Sequence, residues 1–163
     1  MAKMMTVIGL AVATMSPGWA ETQLDRGAYL VEVVGACGNC HSPVDANGNR
    51  NGPALSGGPA LLSPAFVAYA PNITPDLKTG IGSWSEDQIV VALREGKTPD
   101  GHVLRLPMPV PLYRAMSDKD VYAIAAYLKM LPPTDRETPV STYKAPMPLS
   151  YGATGRIDRR TAS

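Results

Sequence analysis

The chain has 163 residues, of which 45% are hydrophobic and 18% charged, which fits one folded domain and excludes a disordered chain. Its formal net charge of +1 provides no strongly basic surface, so we expect no nucleic-acid partner. Aromatic residues make up only 6% of the chain, which is few for a core built from side chains alone, and we expect a bound group to fill the middle.

The first twenty residues have the parts of a secretory signal peptide. Lys3 supplies a short basic start, residues 4–15 are apolar, and Gly18 and Ala20 are the small residues of a cleavage site. This pattern predicts export and cleavage after Ala20, with a buried N-terminal helix as the alternative. The apolar run is too short to span a bilayer, and because no stretch of 18 apolar residues occurs in the sequence, we expect no transmembrane anchor in the mature chain.

Apolar residues at helical spacing predict a helix over residues 22–34, which leads into the sequence Cys37-Gly-Asn-Cys40-His41. A small disulfide is one interpretation of this cysteine pair, and a thioredoxin-like redox pair is another, although no preceding strand is predicted. Zinc is disfavoured because the chain offers no second pair of spaced ligands. The pattern C-x-x-C-H is typical of haem c attachment, in which both thiols bond to the haem and the histidine ligates iron. The sequence therefore favours one covalent haem c.

A long connection and a helix follow the motif. Residues 42–83 are rich in glycine and proline and lack a periodic segment, which predicts a loop wrapped around a flat cofactor. Ser85 and Gln88 form a capping box that predicts a helix ending before Gly96. No convincing strand pattern is found anywhere in the chain.

Methionine is the usual second ligand of a histidine-ligated haem in electron-transfer proteins. Met108 is the first candidate, because Pro107 and Pro109 stiffen the loop around its sulfur. Met116 precedes a helix start and is expected to pack as a hydrophobic staple, and Met130 is expected to lie in the core. A histidine ligand or an open site remains an alternative to methionine.

A last helix is predicted from Ser117, with Asp120 completing a capping box, to the stop at Pro132-Pro133. The domain organisation expected is a signal peptide over residues 1–20, a monohaem domain over residues 21–133 and a Pro-rich, irregular tail over residues 134–163.

Several strings carry a resemblance to a known family. GPALSGGPAL, PNITPD, TGIG, LPMPVPLY and MSDKDVYAIAAYLKMLPP resemble the cytochrome c subunits of bacterial periplasmic alcohol, gluconate, sorbitol and aldehyde dehydrogenases, over roughly residues 23–133. The resemblance implies an all-α, class I cytochrome c fold, with helices packed around one covalently attached haem and long Gly/Pro-rich loops. It also implies Met108 as the distal ligand, and contact between Gly27 and Tyr127 where the first and last helices cross.

The same resemblance implies further cofactor contacts. The carbonyl of Pro53 is expected to accept the proton on the second ring nitrogen of His41. The indole of Trp84 is expected near a haem propionate, and Asn72 and Arg105 are weaker candidates for the same contact.

The function expected is one-electron transfer in the periplasm, without enzymatic chemistry, between a dehydrogenase and a downstream cytochrome or oxidase. Related subunits commonly have three haem modules, whereas this chain has one C-x-x-C-H motif. The alternative is a haem enzyme or small-ligand sensor with a labile distal site, for which His102 is the remaining histidine of the mature chain. A colourless, disulfide-linked binding module is a third interpretation.

Overall fold

The computed structural model describes residues 20–144. The predicted signal peptide before Ala20 and residues 145–163 of the predicted tail lie outside this range. The elements are, in chain order, α1 (Gln23–Tyr29), a π-helical turn (Leu30–Val34), α2 (Gly38–His41), β1 (Ala60–Ser63), β2 (Phe66–Tyr69), α3 (Glu86–Glu95), α4 (Val110–Arg114), α5 (Asp118–Met130) and β3 (Thr142–Tyr143).

The helix predicted over residues 22–34 is confirmed, with its last turn widened. Thr22 Oγ1 accepts the backbone N–H of Asp25 at 3.1 Å, and the Asp25 carboxylate accepts the Thr22 N–H at 3.2 Å. The Thr22 hydroxyl, which donates to the Asp25 carboxylate at 2.7 Å, and then the Thr22 N–H lower the pKa of Asp25 below its ordinary value, so this carboxylate is charged at neutral pH. At the other end the Gly35 N–H donates to the Leu30 carbonyl at 2.7 Å, five residues back, and so closes the π-helical turn.

The helix predicted after Ser85 is α3. Ser85 Oγ accepts from the Gln88 N–H at 3.2 Å, and Gln88 Oε1 accepts from the Ser85 N–H at 2.9 Å. The helix ends at Gly96, whose φ of +69° is the left-handed conformation that glycine adopts at low cost. Ile89 and Leu93 are buried on its inner face, as their helical spacing predicts.

Only half of the second predicted capping box forms, at the start of α5. Ser117 Oγ accepts from the Asp120 N–H at 3.1 Å, but the Asp120 carboxylate does not accept the Ser117 backbone N–H. It accepts from Arg26 Nε on α1 at 2.7 Å instead. The guanidinium, followed by the Ser117 hydroxyl, holds the pKa of Asp120 below its usual range. A residue expected to serve its own helix thus joins two helices that are distant in sequence.

The first and last helices cross at Gly27, as expected. A Cβ atom on Gly27 would overlap the carbonyl oxygen of Ala123 and lie 2.6 Å from Tyr127 Cβ. The hydrogen of glycine therefore sets how closely α1 approaches α5.

We expect Gly27→Ala to destabilise the fold by about 1–3 kcal/mol or more, because the added methyl meets backbone rather than a flexible side chain. Denaturant unfolding of the haem-loaded protein measures the loss. Gly48→Ala is the control, since Gly48 has a φ of +82° but no atom within 4 Å of an added Cβ. Its cost of about 1–2 kcal/mol would come from backbone conformation alone. A Gly27→Ala variant as stable as the wild type would show that the helices do not pack this closely.

The core lies where α5 packs against α1 on one side and against α3 on another. Val31 and Val121 are 0% exposed, and so is Leu55, which the long loop contributes. Other buried apolar residues are Leu30, Ile81, Ile89, Val90, Leu93, Val110, Tyr113, Ile124, Ala125 and Leu128. Within residues 20–144 no helix has the length and apolar character needed to cross a membrane.

The expectation of an all-α chain is wrong. A three-stranded antiparallel sheet in the order β1-β2-β3 pairs Ala60 with Tyr69 and Phe66 with Tyr143. Its strands are two to four residues long, and β1 (ALLS) lacks clean alternation of apolar and polar residues. The tail from residue 134 is expected to be irregular, but its residues Thr142 and Tyr143 form strand β3.

Candidate haem-attachment site

The C-x-x-C-H motif lies on the single helical turn α2. Cys37 caps this turn, and the His41 N–H donates to the Cys37 carbonyl at 2.8 Å. Both cysteines are free thiols, so they do not form the small disulfide considered from the sequence. Cys37 is half-buried and Cys40 is exposed. The two thiols therefore remain available for bonds to another group.

His41 is buried, with one ring nitrogen already committed. Its side chain is among the buried polar groups, and Nδ1 lies 2.8 Å from the carbonyl oxygen of Pro71. Since a carbonyl only accepts, Nδ1 carries the proton and donates it, and Nε2 keeps its lone pair. Burial lowers the pKa of His41 and outweighs the Pro71 bond, which raises it, so the ring is neutral at neutral pH. A neutral, oriented imidazole is the form that ligates iron.

The prediction for Pro53 is wrong. Its carbonyl accepts from Ser56 Oγ at 2.8 Å, and the carbonyl that meets His41 belongs to Pro71. Both prolines lie in the long connection after the motif, and local sequence does not tell which one returns to the histidine. The signal available in the sequence is the string PNITPD, which begins at Pro71 and is one of the strings that carry the resemblance.

Contact between Asn72 and a propionate stays a prediction, and the Asn72 side chain already has partners within the protein. Asn72 is buried, and its amide donates to Thr79 Oγ1 at 3.0 Å and to the Thr134 carbonyl at 2.7 Å. Its Oδ1 accepts from the backbone N–H and the hydroxyl of Thr74 at 2.9 and 2.7 Å. Both amide hydrogens are used within the protein. Asn72 therefore holds the loop that presents the neighbouring Pro71 carbonyl to the histidine.

Tyr113 is a residue of the site that sequence reasoning missed. It is a buried residue of α4, and its hydroxyl lies close to the Cys37 thiol: the two atoms are 3.8 and 3.3 Å from the position of a Cβ on Gly35. Burial, followed by the nearby Cys37 sulfur, raises the pKa of Tyr113 to about 12. Burial also raises the pKa of the Cys37 thiol. Helix α4, which follows the methionine loop, is thus packed against the attachment turn.

Met108 and Met116 are both half-buried against the core. The Met108 N–H donates to the Arg105 carbonyl at 3.1 Å, and its own carbonyl accepts from the Val110 N–H at 3.0 Å. These bonds form a compact turn just before α4. The Met116 carbonyl accepts from Arg94 Nη2 at 2.8 Å, between α3 and α5. Met130 is 67% exposed, so the expectation that it lies in the core is wrong.

Three other candidates differ in their surroundings. Trp84 is half-buried against the core, and among the described residues its indole N–H has no hydrogen-bond partner. Its contact with a propionate stays a prediction. Arg105 is exposed and lies over the ring of Tyr143, 5.2 Å from the ring centroid. The His102 side chain is 81% exposed and its ring pairs with Asp100 at 2.8 Å, on the surface of a turn.

These residues fit a covalently attached haem. Two free thiols and a buried imidazole with an open Nε2 lie on one short turn, and a half-buried thioether is available on a separate loop. Imidazole and thioether are the two iron ligands of a low-spin c-type haem, and the two thiols would bond to the haem ring rather than to a metal such as zinc. No group of three or more His, Cys, Asp or Glu side chains suited to a metal ion occurs within residues 20–144.

Comparison with known proteins agrees with this chemistry. The family model for cytochrome c matches residues 24–132. A nicotinate dehydrogenase subunit of Pseudomonas putida is 35% identical over 145 residues, which cover 87% of this chain and 12% of that protein. The gluconate 2-dehydrogenase cytochrome c subunit of Pantoea cypripedii is 35% identical over 130 residues, 76% of this chain and 28% of the relative. The fructose dehydrogenase cytochrome subunit of Gluconobacter japonicus is 37% identical over 131 residues, 80% of this chain and 25% of the relative.

The chain thus spans between 12% and 28% of the length of these three relatives. The matches confirm the resemblance inferred from the motifs, the covalent haem c cofactor and electron transfer as the class of function. With its C-x-x-C-H turn, its oriented histidine and a family match from residue 24 to residue 132, the chain belongs to the cytochrome c family.

Proposed function

We propose that this chain works in the periplasm and carries one electron on a haem ligated by His41 and Met108, between a dehydrogenase and a downstream cytochrome or oxidase. The observation that carries the proposal is the buried His41, whose Nδ1 is held by Pro71 at 2.8 Å and whose Nε2 is open. When bound, the haem supplies a single iron that gains and loses one electron.

The protein's own residues then determine how that iron behaves. The Pro71 carbonyl fixes the ring orientation of His41 and increases its basicity as a ligand. A thioether such as that of Met108 favours ferrous iron and raises the reduction potential. Burial of the histidine excludes water from this side of the site. The arrangement suits electron exchange, in which no ligand has to leave.

A haem enzyme or sensor would need an acid–base side chain at a labile distal position. His102, the histidine considered for that role, is 81% exposed and pairs with Asp100 at the surface. In the described part of the chain, no hydrogen bond or ion pair connects its ring to the attachment turn. Electron transfer is therefore the function that the geometry supports best.

The proposed partner follows from the relatives, which are subunits of nicotinate, gluconate and fructose dehydrogenases by their names. This chain would take the place of one haem module, either as a subunit or as a separate carrier. Removal of residues 1–20 takes away Lys3 and no acid, which leaves 15 − 1 = 14 basic and 14 acidic side chains. Strong electrostatic steering toward a partner is not expected from a neutral polypeptide.

A ligand-binding test separates the two functions. The haem-loaded protein should show sharp reduced bands and a weak sulfur-to-ferric band, and its ferrous form should not bind carbon monoxide within minutes. It should also be reduced by a purified periplasmic dehydrogenase in the presence of that enzyme's substrate. A high-spin spectrum with rapid binding of carbon monoxide would favour the sensor or enzyme instead.

A further inference from the structure

Residues 134–143, called here the C-terminal strap, leave α5 and run back over two loops of the site. We propose that this strap contacts two loops, the one that orients His41 and the one that carries Met108, and fixes their position relative to each other. Tyr143 is the positioning residue on the Met108 side. The inference rests on the proposed function, because it takes Met108 as the distal ligand.

The strap is first attached next to the partner of His41. The Thr134 carbonyl accepts from the Asn72 amide at 2.7 Å, and the Thr134 N–H donates to Thr74 Oγ1 at 3.1 Å. Asn72 directly follows Pro71, whose carbonyl accepts from His41. The beginning of the strap is therefore one residue away from the group that orients the histidine.

Arg136 makes a second attachment on the same side. Its Nη1 donates to the carbonyls of Ser56 and Gly57 at 3.2 and 2.6 Å. The Gly57 N–H in turn donates to the His41 carbonyl at 2.8 Å. Gly57 has a φ of +103°, and a Cβ atom there would overlap Thr138 of the strap. Arg136 and Thr138 of the strap thus both pack against Gly57, whose backbone is bonded to His41.

The far end of the strap reaches the methionine loop through Tyr143. Its hydroxyl donates to the Leu106 carbonyl at 3.2 Å, and the Arg105 guanidinium lies 5.2 Å from its ring centroid. The ring packs at 5.8 Å from that of Phe66, its partner in the β2–β3 register. One side chain therefore contacts the two residues that come just before Pro107 and Met108.

The methionine loop needs such an outside attachment because it has few bonds of its own. Pro107 and Pro109 have no N–H to donate. Within the described residues, the backbone bonds of this turn are those from Met108 to Arg105, from Val110 to Met108 and from Leu112 to Pro109, and none of them involves Leu106. A bond from Tyr143 to Leu106 thus adds a constraint that the loop's own backbone does not supply.

Matched tyrosine variants of the haem-loaded protein test the proposal. Tyr143→Phe keeps the ring between Arg105 and Phe66 but removes the hydroxyl, and Tyr143→Leu removes both. Tyr122→Phe is the control, because it removes a hydroxyl bond to Asp87 at 2.7 Å between α5 and α3. The readouts are amide hydrogen exchange of residues 104–110 and the rate at which imidazole displaces the methionine from the ferric protein.

Tyr143→Phe should accelerate both readouts about fivefold to tenfold, the factor that one neutral hydrogen bond is typically worth. Tyr143→Leu should accelerate them further, while Tyr122→Phe should leave both unchanged. Equal rates in the wild type and Tyr143→Phe would overturn the proposal, even if Tyr143→Leu fails to fold. A wild type without methionine ligation would instead overturn the ligand assignment of the proposed function, and loop exchange would still report whether Tyr143 holds residues 104–110.

Discussion

Cys37→Ala and Cys40→Ala should each weaken the retention of haem on a denaturing gel, and the double variant should abolish it. Each thiol forms one covalent bond to the haem in a C-x-x-C-H site, so either alone leaves a single attachment. The two sulfurs are free and lie on one turn, with Cys40 exposed and Cys37 half-buried. Because the chain has only two cysteines, no other thiol can replace them.

Haem staining after denaturing electrophoresis measures this loss. Asn39→Ala is the matched control, since Asn39 lies exposed between the two cysteines and its side chain has no described hydrogen bond. That variant should stain like the wild type. Full staining of the double cysteine variant would refute covalent attachment through these two thiols.

Met108→Ala is expected to abolish the sulfur-to-ferric band and to lower the reduction potential. Loss of a soft thioether removes the ligand that favours ferrous iron. The decrease should be roughly 0.1 V or more, within the span of about 0.8 V over which axial ligands set haem potentials. Potentiometric titration monitored in the visible spectrum gives the reduction potential, and the spectrum of the oxidised protein shows on the same sample whether the sulfur-to-ferric band is present.

Met116→Ala is the control for this variant, because Met116 is half-buried against the same core. It should keep the band and the potential, and cost about 2–3 kcal/mol of unfolding free energy through lost packing. A Met116→Ala variant that loses the band beside a Met108→Ala variant that keeps it would reverse the ligand assignment.

Features encoded by neighbouring residues could be predicted from the sequence. The C-x-x-C-H turn and the start of α3 at Ser85 depend on residues within four positions of each other. The contact of Gly27 with Tyr127 could also be predicted, because the resemblance to a known family supplied the crossing of the two helices. Local patterns and family strings therefore located the attachment turn and most of the helical core.

Features that depend on distant partners could not be predicted. The Asp120 carboxylate had a local cap available and pairs with Arg26 instead, 94 positions away. The carbonyl that orients His41 belongs to Pro71 rather than Pro53, a choice made by the path of the long loop. Tyr143 joins β2 through a two-residue strand, which is too short to show periodicity. In each case the partner lies far away in the sequence and is brought close only by the fold.

The measurement that tests the central claim most directly is a two-dimensional ¹H–¹³C NMR spectrum of the ferrous protein, in which the methionine methyl groups are labelled with ¹³C. The methyl group of a methionine whose sulfur binds the iron lies over the haem ring, and its signal is shifted far upfield by the ring current. Our account predicts one such signal, absent in Met108→Leu and retained in Met116→Leu. A spectrum in which no methionine methyl signal is shifted upfield would contradict ligation of the haem iron by His41 and Met108. A shifted methyl signal that disappears only in Met116→Leu would contradict it as well.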